Sequence, residues 1–343
     1  MKTIEWDDES NSVKMYDQTY LPVEGKIIEC KTVDSLCEAI SNLRVRGAPA
    51  LGAAGAFGIA LAAFEFSGNS ASELISFMKE KAEQIVKTRP TAVNLERGVI
   101  QVLDVCELEG NCVDSIKSLA VFESKKIADE DVLINKKIGE FGQKLFEDGD
   151  VVLTHCNAGK MACVDWGTAL GVLRSAKEQG KNLSVVSCET RPLNQGSRIT
   201  AWELLKDGFE VYLITDSTAG FLMRTGYIDK VIVGADRVAN DVVYNKIGTY
   251  SLAVLARENE IPFYVAAPSS TFDKDAWEGN VEIEMRSPDE LKFIGREKTP
   301  NAPEDVKVLN LAFDATPMEY ITAFITEKGI YEPPFLIEEL LLD

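Results

Sequence analysis

The sequence has 343 residues, which is enough for a large apolar core and about two domains. Its formal net charge of -19 argues against a nucleic-acid partner or an anionic membrane surface, since Lys and Arg supply most of the affinity for phosphate groups. The chain contains one histidine and seven cysteines without a CxxC pair, so the sequence predicts no metal site. Such a cysteine pattern also favours a reducing, cytoplasmic location.

The first 125 residues predict a small helical domain that begins with a short β segment. Residues 20–29 have an extended pattern. Five segments with helical periodicity follow, at residues 33–43, 49–65, 70–86, 92–108 and 113–146. Residues 47–64 carry no charge and consist largely of Ala and Gly. This composition favours a buried, close-packed helix over a membrane span, because Ala and Gly insert less readily than Leu or Ile.

From residue 149, short apolar runs alternate with helix-length amphipathic segments. The apolar runs lie at residues 151–154, 183–187, 211–215, 231–233 and 263–266. The intervening helices are predicted near residues 164–178, 197–206, 217–225 and 246–258. Short buried strands that alternate with helices indicate βαβ units and a parallel sheet. The chain is therefore predicted to be an α/β protein, with a β/helical N-terminal domain at residues 1–125 and a Rossmann-like catalytic domain at residues 126–343.

Polar and reactive residues follow each of the five predicted strands. They are His155-Cys156-Asn157, Cys188-Glu189-Thr190-Arg191 with Gln195, Asp216-Ser217, Asp236-Arg237 and Ser269-Ser270. Ligands in open parallel sheets bind beyond the carboxyl ends of the strands. The clustering therefore predicts a single ligand site at that edge of the sheet.

Cys156 and Asp236 are the candidates for the chemistry. Cys156 ends a strand and is predicted to open a helix, and helix N-termini lower the pKa of a thiol. Asp236 ends a buried strand, where desolvation can make a carboxyl a general acid. The alternatives are that Cys156 packs as a small apolar residue and that Asp236 caps a turn or pairs with Arg237. A Cys156–His155 dyad is not expected, because adjacent residues on a strand point to opposite faces.

Three segments are candidates for holding a phosphate. Asn245 and Lys246 stand where a helix is predicted to begin, and helix N-termini with a lysine suit an anion. Arg46-Gly47-Ala48 and Arg89 are each followed by turn residues and a predicted helix start. An ordinary helix cap and ordinary surface arginines are the alternatives at these positions.

Motifs that are distributed in order between residues 18 and 331 carry a family resemblance. They include VRGAPALG (45–52), TRPTAVNL (88–95), LTHCNAG (153–159), ETRPLNQGSRITAWEL (189–204), VGADRV (233–238), NKIGTY (245–250) and FDATP (313–317). With these motifs the chain resembles the S-methyl-5-thioribose-1-phosphate isomerases of methionine salvage, a branch of amino-acid biosynthesis. That family shares a superfamily with ribose-1,5-bisphosphate isomerase and the regulatory subunits of translation initiation factor 2B.

The resemblance implies a role for particular residues. The family's catalytic cysteine and aspartate match Cys156 and Asp236. Its substrate-binding positions match Arg46, Gly47, Ala48, Arg89, Gln195, Asn245 and Lys246. The resemblance also implies a homodimer whose protomers have a small N-terminal domain and a Rossmann-like C-terminal domain.

The expected activity is the interconversion of S-methyl-5-thioribose 1-phosphate and S-methyl-5-thioribulose 1-phosphate, an aldose–ketose isomerisation. Asp236 is expected to act as the acid for ring opening, and Cys156 as the base or as a transition-state stabiliser. No cofactor is expected, since the chain lacks a GxGxxG motif after the first Rossmann strand. The alternatives are an isomerase of ribose 1,5-bisphosphate or 5-deoxyribose 1-phosphate, and a noncatalytic regulatory subunit. A regulatory subunit is expected to have lost the Cys/Asp pair, which is present here.

Overall fold

The computed structural model of the protein describes residues 1–90, 92–295, 297–335 and 337. The chain forms two compact units. The first comprises residues 1–136 and 158–167, and the second comprises residues 137–157 and the chain from residue 168 onward. Periodicity places the division after residue 125, which lies a little earlier in the same helix. The sequence pattern does not predict that residues 158–167 belong to the N-terminal unit.

In the first unit, a three-stranded antiparallel sheet precedes the helices. The strands are β1 (Ile4–Asp7), β2 (Ser12–Tyr16) and β3 (Ile27–Cys30), in that order across the sheet. The helices are α1 (Val33–Ser41), α2 (Ala48–Glu65), α3 (Ala71–Lys87), α4 (Val93–Glu109) and α5 (Val113–Gly142). The five predicted helices are confirmed within a few residues. Strands β1 and β2 were not predicted.

Helix α2 is the uncharged segment, and it is buried in the core of the first unit. A Cβ added to Gly55 would lie 2.3 Å from the Leu95 carbonyl oxygen, and one added to Gly98 would lie 2.1 Å from the Gly52 carbonyl oxygen. Helices α2 and α4 therefore pack backbone against backbone, which only glycine permits at these positions. Among the described residues, α2 is the one helix that is long and apolar enough to cross a membrane, and most of it is buried inside the protein.

The second unit is built on a seven-stranded sheet, which confirms the predicted α/β fold. The strand order is β15-β14-β10-β7-β4-β5-β6, and all neighbours are parallel except β14 and β15. These strands are β4 (Val151–Thr154), β5 (Ser184–Cys188), β6 (Glu210–Ile214), β7 (Lys230–Val233), β10 (Phe263–Ala266), β14 (Ala323–Ile325) and β15 (Ile330–Tyr331). The helices are α6 (Ala169–Glu178), α7 (Ala201–Lys206), α8 (Ala219–Arg224), α9 (Thr249–Glu258) and α10 (Asp289–Lys292).

Two smaller sheets accompany the large one. The first has the order β13-β9-β8 and is antiparallel, and the second is the pair β11-β12. Their strands are β8 (Arg237–Val238), β9 (Val242–Lys246), β11 (Phe293–Ile294), β12 (Thr299–Pro300) and β13 (Phe313–Pro317). The sheet containing β9 positions the residues that follow β7, because β8 begins directly after Asp236.

Candidate active site

The two predicted catalytic residues follow neighbouring strands of the large sheet. Strand β4 pairs in parallel with β7, so both strands end at the same edge, with Cys156 beyond β4 and Asp236 beyond β7. The chain order reverses at this pair, because β5 and β6 lie on one side and β10 and β14 lie on the other. Open α/β sheets bind ligands at such a topological switch point. Both residues therefore lie where a sheet of this kind holds its ligand.

Cys156 has a left-handed backbone conformation, with φ 65°. This conformation is uncommon for a residue other than glycine, and strained residues cluster at functional sites. The Cys156 N–H donates to Thr190 Oγ1 at 2.9 Å, and the Cys156 carbonyl accepts from Thr200 Oγ1 at 2.6 Å. Cys156 is half-buried, whereas His155 and Asn157 on either side are buried.

The helix expected directly after Cys156 is absent from the described structure. Residues 160–162 form one 3-10 turn, and the next α-helix begins at Ala169. Instead, the chain after Asn157 joins the first unit, where Gln18 Nε2 donates to the Met161 carbonyl at 2.7 Å. The prediction that Cys156 lies at a helix N-terminus is therefore wrong, and that source of thiol activation does not apply.

His155 is buried beside the site, and its ring makes a hydrogen bond to a backbone carbonyl. Its Nε2 lies 2.8 Å from the Ile247 carbonyl oxygen, which can only accept, so Nε2 carries the proton. The other nitrogen, Nδ1, faces Thr190 Oγ1 at 3.5 Å. Burial lowers the pKa of His155, which keeps the ring neutral. Both nitrogens of His155 thus face groups other than the Cys156 thiol.

His155, Cys188 and Asp216 form a group of potential metal ligands. One ligand atom from each lies within 4.8 Å of the others. Both Asp216 oxygens already accept backbone hydrogen bonds, from the Thr190 N–H at 2.7 Å and the Arg191 N–H at 2.8 Å. Burial raises the pKa of the Cys188 thiol strongly, and a metal requires the thiolate. The group is better explained as the support of the Thr190 turn.

Asp236 is less buried than the sequence suggests. Its side chain is exposed in the structure, although β7 before it is mostly buried. Its backbone N–H donates to the Tyr244 carbonyl at 2.9 Å, which ties the turn after β7 to β9. The expectation that burial prepares this carboxyl for acid catalysis is therefore not met in the free chain.

Lys246 connects the two predicted catalytic residues. It is the last residue of β9 and is only 4% exposed. Burial lowers the pKa of Lys246, while the negative charges of Cys156 and Asp236 act on it in the opposite direction. The charges of Arg286 and Glu290 act on Lys246 as well, in opposite directions. Burying an ammonium is costly unless negative charge is nearby, so this position suits an anionic ligand.

The helix after Lys246 begins later than predicted. Asn245 and Lys246 end a strand, and α9 starts at Thr249. Asp314 occupies the helix N-terminus, since its carboxylate accepts the Gly248 N–H at 2.7 Å and the Tyr250 N–H at 3.2 Å. Burial raises the pKa of Asp314 to about 6. These backbone groups are thus occupied by Asp314, which had been noted only as part of the FDATP motif.

The amide side chains at the site differ in their partners. Asn245 Nδ2 donates to Thr249 Oγ1 at 3.0 Å. Gln195 is only 6% exposed, and its Oε1 is buried with no hydrogen-bond partner among the described residues. Most buried polar atoms in proteins have a partner, so a buried acceptor without one indicates a ligand. Gln195 therefore fits the predicted binding role on structural grounds.

The predicted binding residues of the N-terminal part all lie in the first unit. Gly47 is the residue before α2 and has φ 97°, and an added Cβ would lie 2.3 Å from the Ala162 carbonyl oxygen. Only glycine fits such a position. Arg46 and Ala48 flank it, and Arg89 is a half-buried residue just after α3. Gly47 thus packs closely against the segment that follows Cys156 along the chain.

Comparison with known proteins identifies the family. The family model described as the initiation factor 2 subunit family matches residues 44–333. The chain belongs to this family. The chain is 50% identical to the methylthioribose-1-phosphate isomerase of Thermotoga maritima over 336 aligned residues. The alignment covers 97% of this chain and 96% of that relative. The methylthioribose-1-phosphate isomerase of Heliobacterium modesticaldum is 47% identical over 339 aligned residues, which cover 98% of this chain and 97% of that relative.

Two solved structures match nearly the whole chain. The 5-methylthioribose 1-phosphate isomerase of Pyrococcus horikoshii is 43% identical, with a TM-score of 0.93 over 99% of this chain and 95% of that one. The translation initiation factor eIF-2B subunit delta of A. fulgidus is 54% identical, with a TM-score of 0.92 over 99% of both chains. These two structures thus share the fold of this chain along nearly its whole length.

Proposed function

We propose that the protein is an aldose–ketose isomerase that interconverts S-methyl-5-thioribose 1-phosphate and S-methyl-5-thioribulose 1-phosphate in methionine salvage. Relatives named for this activity align along nearly the whole chain. The observation that carries the proposal is the placement of Cys156 and Asp236 directly beyond β4 and β7, which are neighbouring parallel strands at the switch point of the large sheet. One anion held at Lys246 would bring the rest of a small substrate against both groups.

The chemistry assigns each residue a step. The anomeric oxygen of an aldose 1-phosphate is esterified, so the ring cannot open freely to an aldehyde. Asp236 protonates the ring oxygen as the bond between C1 and that oxygen breaks. Cys156, as the thiolate, then removes the C2 proton to form an enol phosphate. Return of the proton to C1 and loss of the C2 hydroxyl proton produce the ketose 1-phosphate. In a hydride shift from C2 to C1, Cys156 would instead stabilise the transition state.

The phosphate and the sugar hydroxyls need their own partners. Lys246 supplies a charge-assisted contact to the phosphate, and the unpartnered Gln195 Oε1 accepts a hydrogen bond from a sugar hydroxyl. Asn245 supports Lys246 through Thr249, whose hydroxyl donates to the Lys246 carbonyl at 2.7 Å. Arg46, Gly47, Ala48 and Arg89 are assigned to phosphate and sugar binding by the family resemblance.

The deciding experiment is a turnover assay of the purified chain. The substrates are S-methyl-5-thioribose 1-phosphate, ribose 1,5-bisphosphate and 5-deoxyribose 1-phosphate, with the ketose product measured by NMR. We expect the highest kcat/KM for the methylthio sugar, without any added metal or cofactor. A preference for another sugar would reassign the C5 substituent. Loss of turnover on chelation, with recovery on adding a defined metal, would contradict the cofactor-free mechanism.

A noncatalytic role in translation initiation is the second candidate. It is favoured by the description of the A. fulgidus structure, which is 54% identical to this chain. The presence of Cys156 and Asp236 at one sheet edge favours the isomerase, since a regulatory subunit has no need of the pair. Absence of turnover on all three sugar phosphates would favour the regulatory role.

We also propose a cytoplasmic homodimer. All seven cysteines are free thiols, which supports a reducing compartment. The edge strand β6 exposes Tyr212 and Leu213, and α8 exposes Phe221, with exposed fractions of 41%, 52% and 67%. Exposed apolar side chains beside a sheet edge are typical of an interface. We therefore assign this edge of the second unit to the dimer contact.

A further inference from the structure

The backbone of Cys156 is held at both of its polar groups by hydroxyl side chains. Thr190 Oγ1 accepts the Cys156 N–H at 2.9 Å, and Thr200 Oγ1 donates to the Cys156 carbonyl at 2.6 Å. Both threonines are fully buried, with exposed fractions of 0%. Since φ at Cys156 is 65°, the two hydrogen bonds stabilise a conformation that a cysteine rarely adopts.

The Thr190 hydroxyl is itself fixed by a second strained turn. Thr190 has φ 63°, which is unfavourable for a β-branched residue. The Asp216 carboxylate compensates, because its two oxygens accept the N–H groups of Thr190 and Arg191 at 2.7 and 2.8 Å. The position of the Thr190 hydroxyl therefore depends on a carboxylate from the loop after β6.

The Thr200 hydroxyl is fixed from the opposite side. Its single hydrogen is used for the Cys156 carbonyl, so its oxygen is available as an acceptor, and Asn157 Nδ2 lies 3.1 Å from it. The same amide donates to Glu203 Oε1 at 2.6 Å. Glu203 is fully buried, and Arg174 Nη2 lies 2.7 Å from its other oxygen. The buried ion pair thus orients the amide, and the amide orients the hydroxyl.

Thr200 also lies in an unusual piece of helix. Residues 196–200 form a π-helical turn before α7, and π turns occur frequently at functional sites. Gly196, the first residue of this turn, packs against the Cys188 carbonyl, and an added Cβ would lie 1.7 Å from the carbonyl oxygen. The turn is therefore tightly constrained and holds the Thr200 side chain in one place.

We propose that Thr190 and Thr200 are positioning residues that set the direction of the Cys156 thiol. The Arg174–Glu203 ion pair, acting through the side-chain amide of Asn157, holds the Thr200 hydroxyl in place. The inference rests on the proposed function, in which Cys156 is the reactive group. The direction of a Cα–Cβ bond follows from the backbone dihedral angles. A change of φ at residue 156 to the common negative region would swing the sulfur away from the substrate, and small displacements of a reacting group cost about 10²-fold in rate.

The test compares valine with serine at the two positions. Thr200→Val and Thr190→Val keep the shape but remove the hydroxyl, and we expect kcat to fall by about 10- to 100-fold with KM within about twofold of wild type. Thr200→Ser and Thr190→Ser keep the hydroxyl and should retain kcat within about threefold. Thr326→Val is the matched control, because Thr326 is fully buried and its hydroxyl accepts the Lys328 N–H at 3.0 Å. This control should leave kcat unchanged.

Crystal structures of the two valine variants supply a readout that does not depend on turnover. We expect φ of residue 156 to leave the left-handed region in at least one of them. Wild-type kcat in both valine variants would overturn the inference, as would a loss of kcat with φ at residue 156 unchanged. Equal losses in the serine and valine variants would also overturn it. An inactive wild type would refute the proposed function. The crystal structures would still test whether Thr190 and Thr200 hold residue 156 in its left-handed conformation.

Discussion

Asp131 offers a quantitative test of how the segment after Cys156 is anchored. Asp131 lies on α5, and its Oδ2 accepts the Val164 N–H at 2.7 Å, while the Val164 carbonyl accepts the Thr3 N–H at 2.9 Å. Burial raises the pKa of Asp131 to about 7, although hydrogen bonds from Val164, Asn135 and Asp165 favour the charged form. The native protein therefore retains a proton that the unfolded chain loses near its ordinary pKa of 3.8.

The sign and size of the effect follow from proton linkage. Between the two pKa values the native state binds more protons than the unfolded state, so stability decreases as pH rises through this window. The slope is about 1.4 kcal/mol per pH unit, so the Asp131 contribution should fall by about 2 kcal/mol between about pH 5.5 and pH 8. Asp131→Asn removes the titration and keeps an oxygen that can accept the Val164 N–H.

Urea unfolding at several pH values measures the difference. We expect Asp131→Asn to gain about 2 kcal/mol relative to wild type on going from about pH 5.5 to pH 8, because only wild type ionises. Asp129→Asn on the same helix is the control, since Asp129 is exposed and pairs with Lys2 at the surface. Its difference from wild type should stay within about 0.5 kcal/mol at both pH values. Parallel pH curves for wild type and Asp131→Asn would refute the reasoning.

The remaining predictions concern the site and the assembly. Cys156→Ser and Asp236→Asn should each reduce kcat by at least ~100-fold in a folded protein, and near-normal turnover in either would remove that residue from the mechanism. Substrate deuterated at C2 should lose part of its label to solvent, whereas complete retention would make Cys156 a transition-state stabiliser. Lys246→Ala and Arg89→Ala should raise KM and weaken inhibition by inorganic phosphate by about 10- to 100-fold, and unchanged values would exclude a phosphate contact. Leu213→Lys should halve the mass measured by light scattering, whereas an intact dimer would place the interface elsewhere.

The alternation of short apolar runs with amphipathic segments predicted five of the seven strands of the large sheet, and it missed β14 and β15. The runs at residues 151–154, 231–233 and 263–266 correspond closely to β4, β7 and β10. The reason is that a strand buried on both faces must be apolar throughout, which leaves a local signal. The same rule places ligands at the strand ends, so the sequence could nominate Cys156 and Asp236 before any distance was known.

Signals that depend on distant pairing were not available locally. Asn245 and Lys246 read as the start of a helix, but β9 extends through them because it pairs with β13, in which Asp314 lies opposite Asn245. The partner strand β13 lies far from β9 along the chain, and no periodicity within residues 242–250 predicts the pairing. The same holds for Asp314, whose capping of α9 requires that register.

The sequence by itself determined the fold class, the order of the helices and main strands, and the family resemblance, because these depend on residue types and local periodicity. Tertiary structure alone decided the exposure of Asp236, the union of residues 158–167 with the first unit, and the support of Cys156 by Thr190 and Thr200. Those hydrogen bonds join residues 34 and 44 positions apart, and their geometry exists only once β4, β5 and the π turn are aligned. Hydrogen bonds between loops are set by the relative placement of whole strands, which no local pattern encodes.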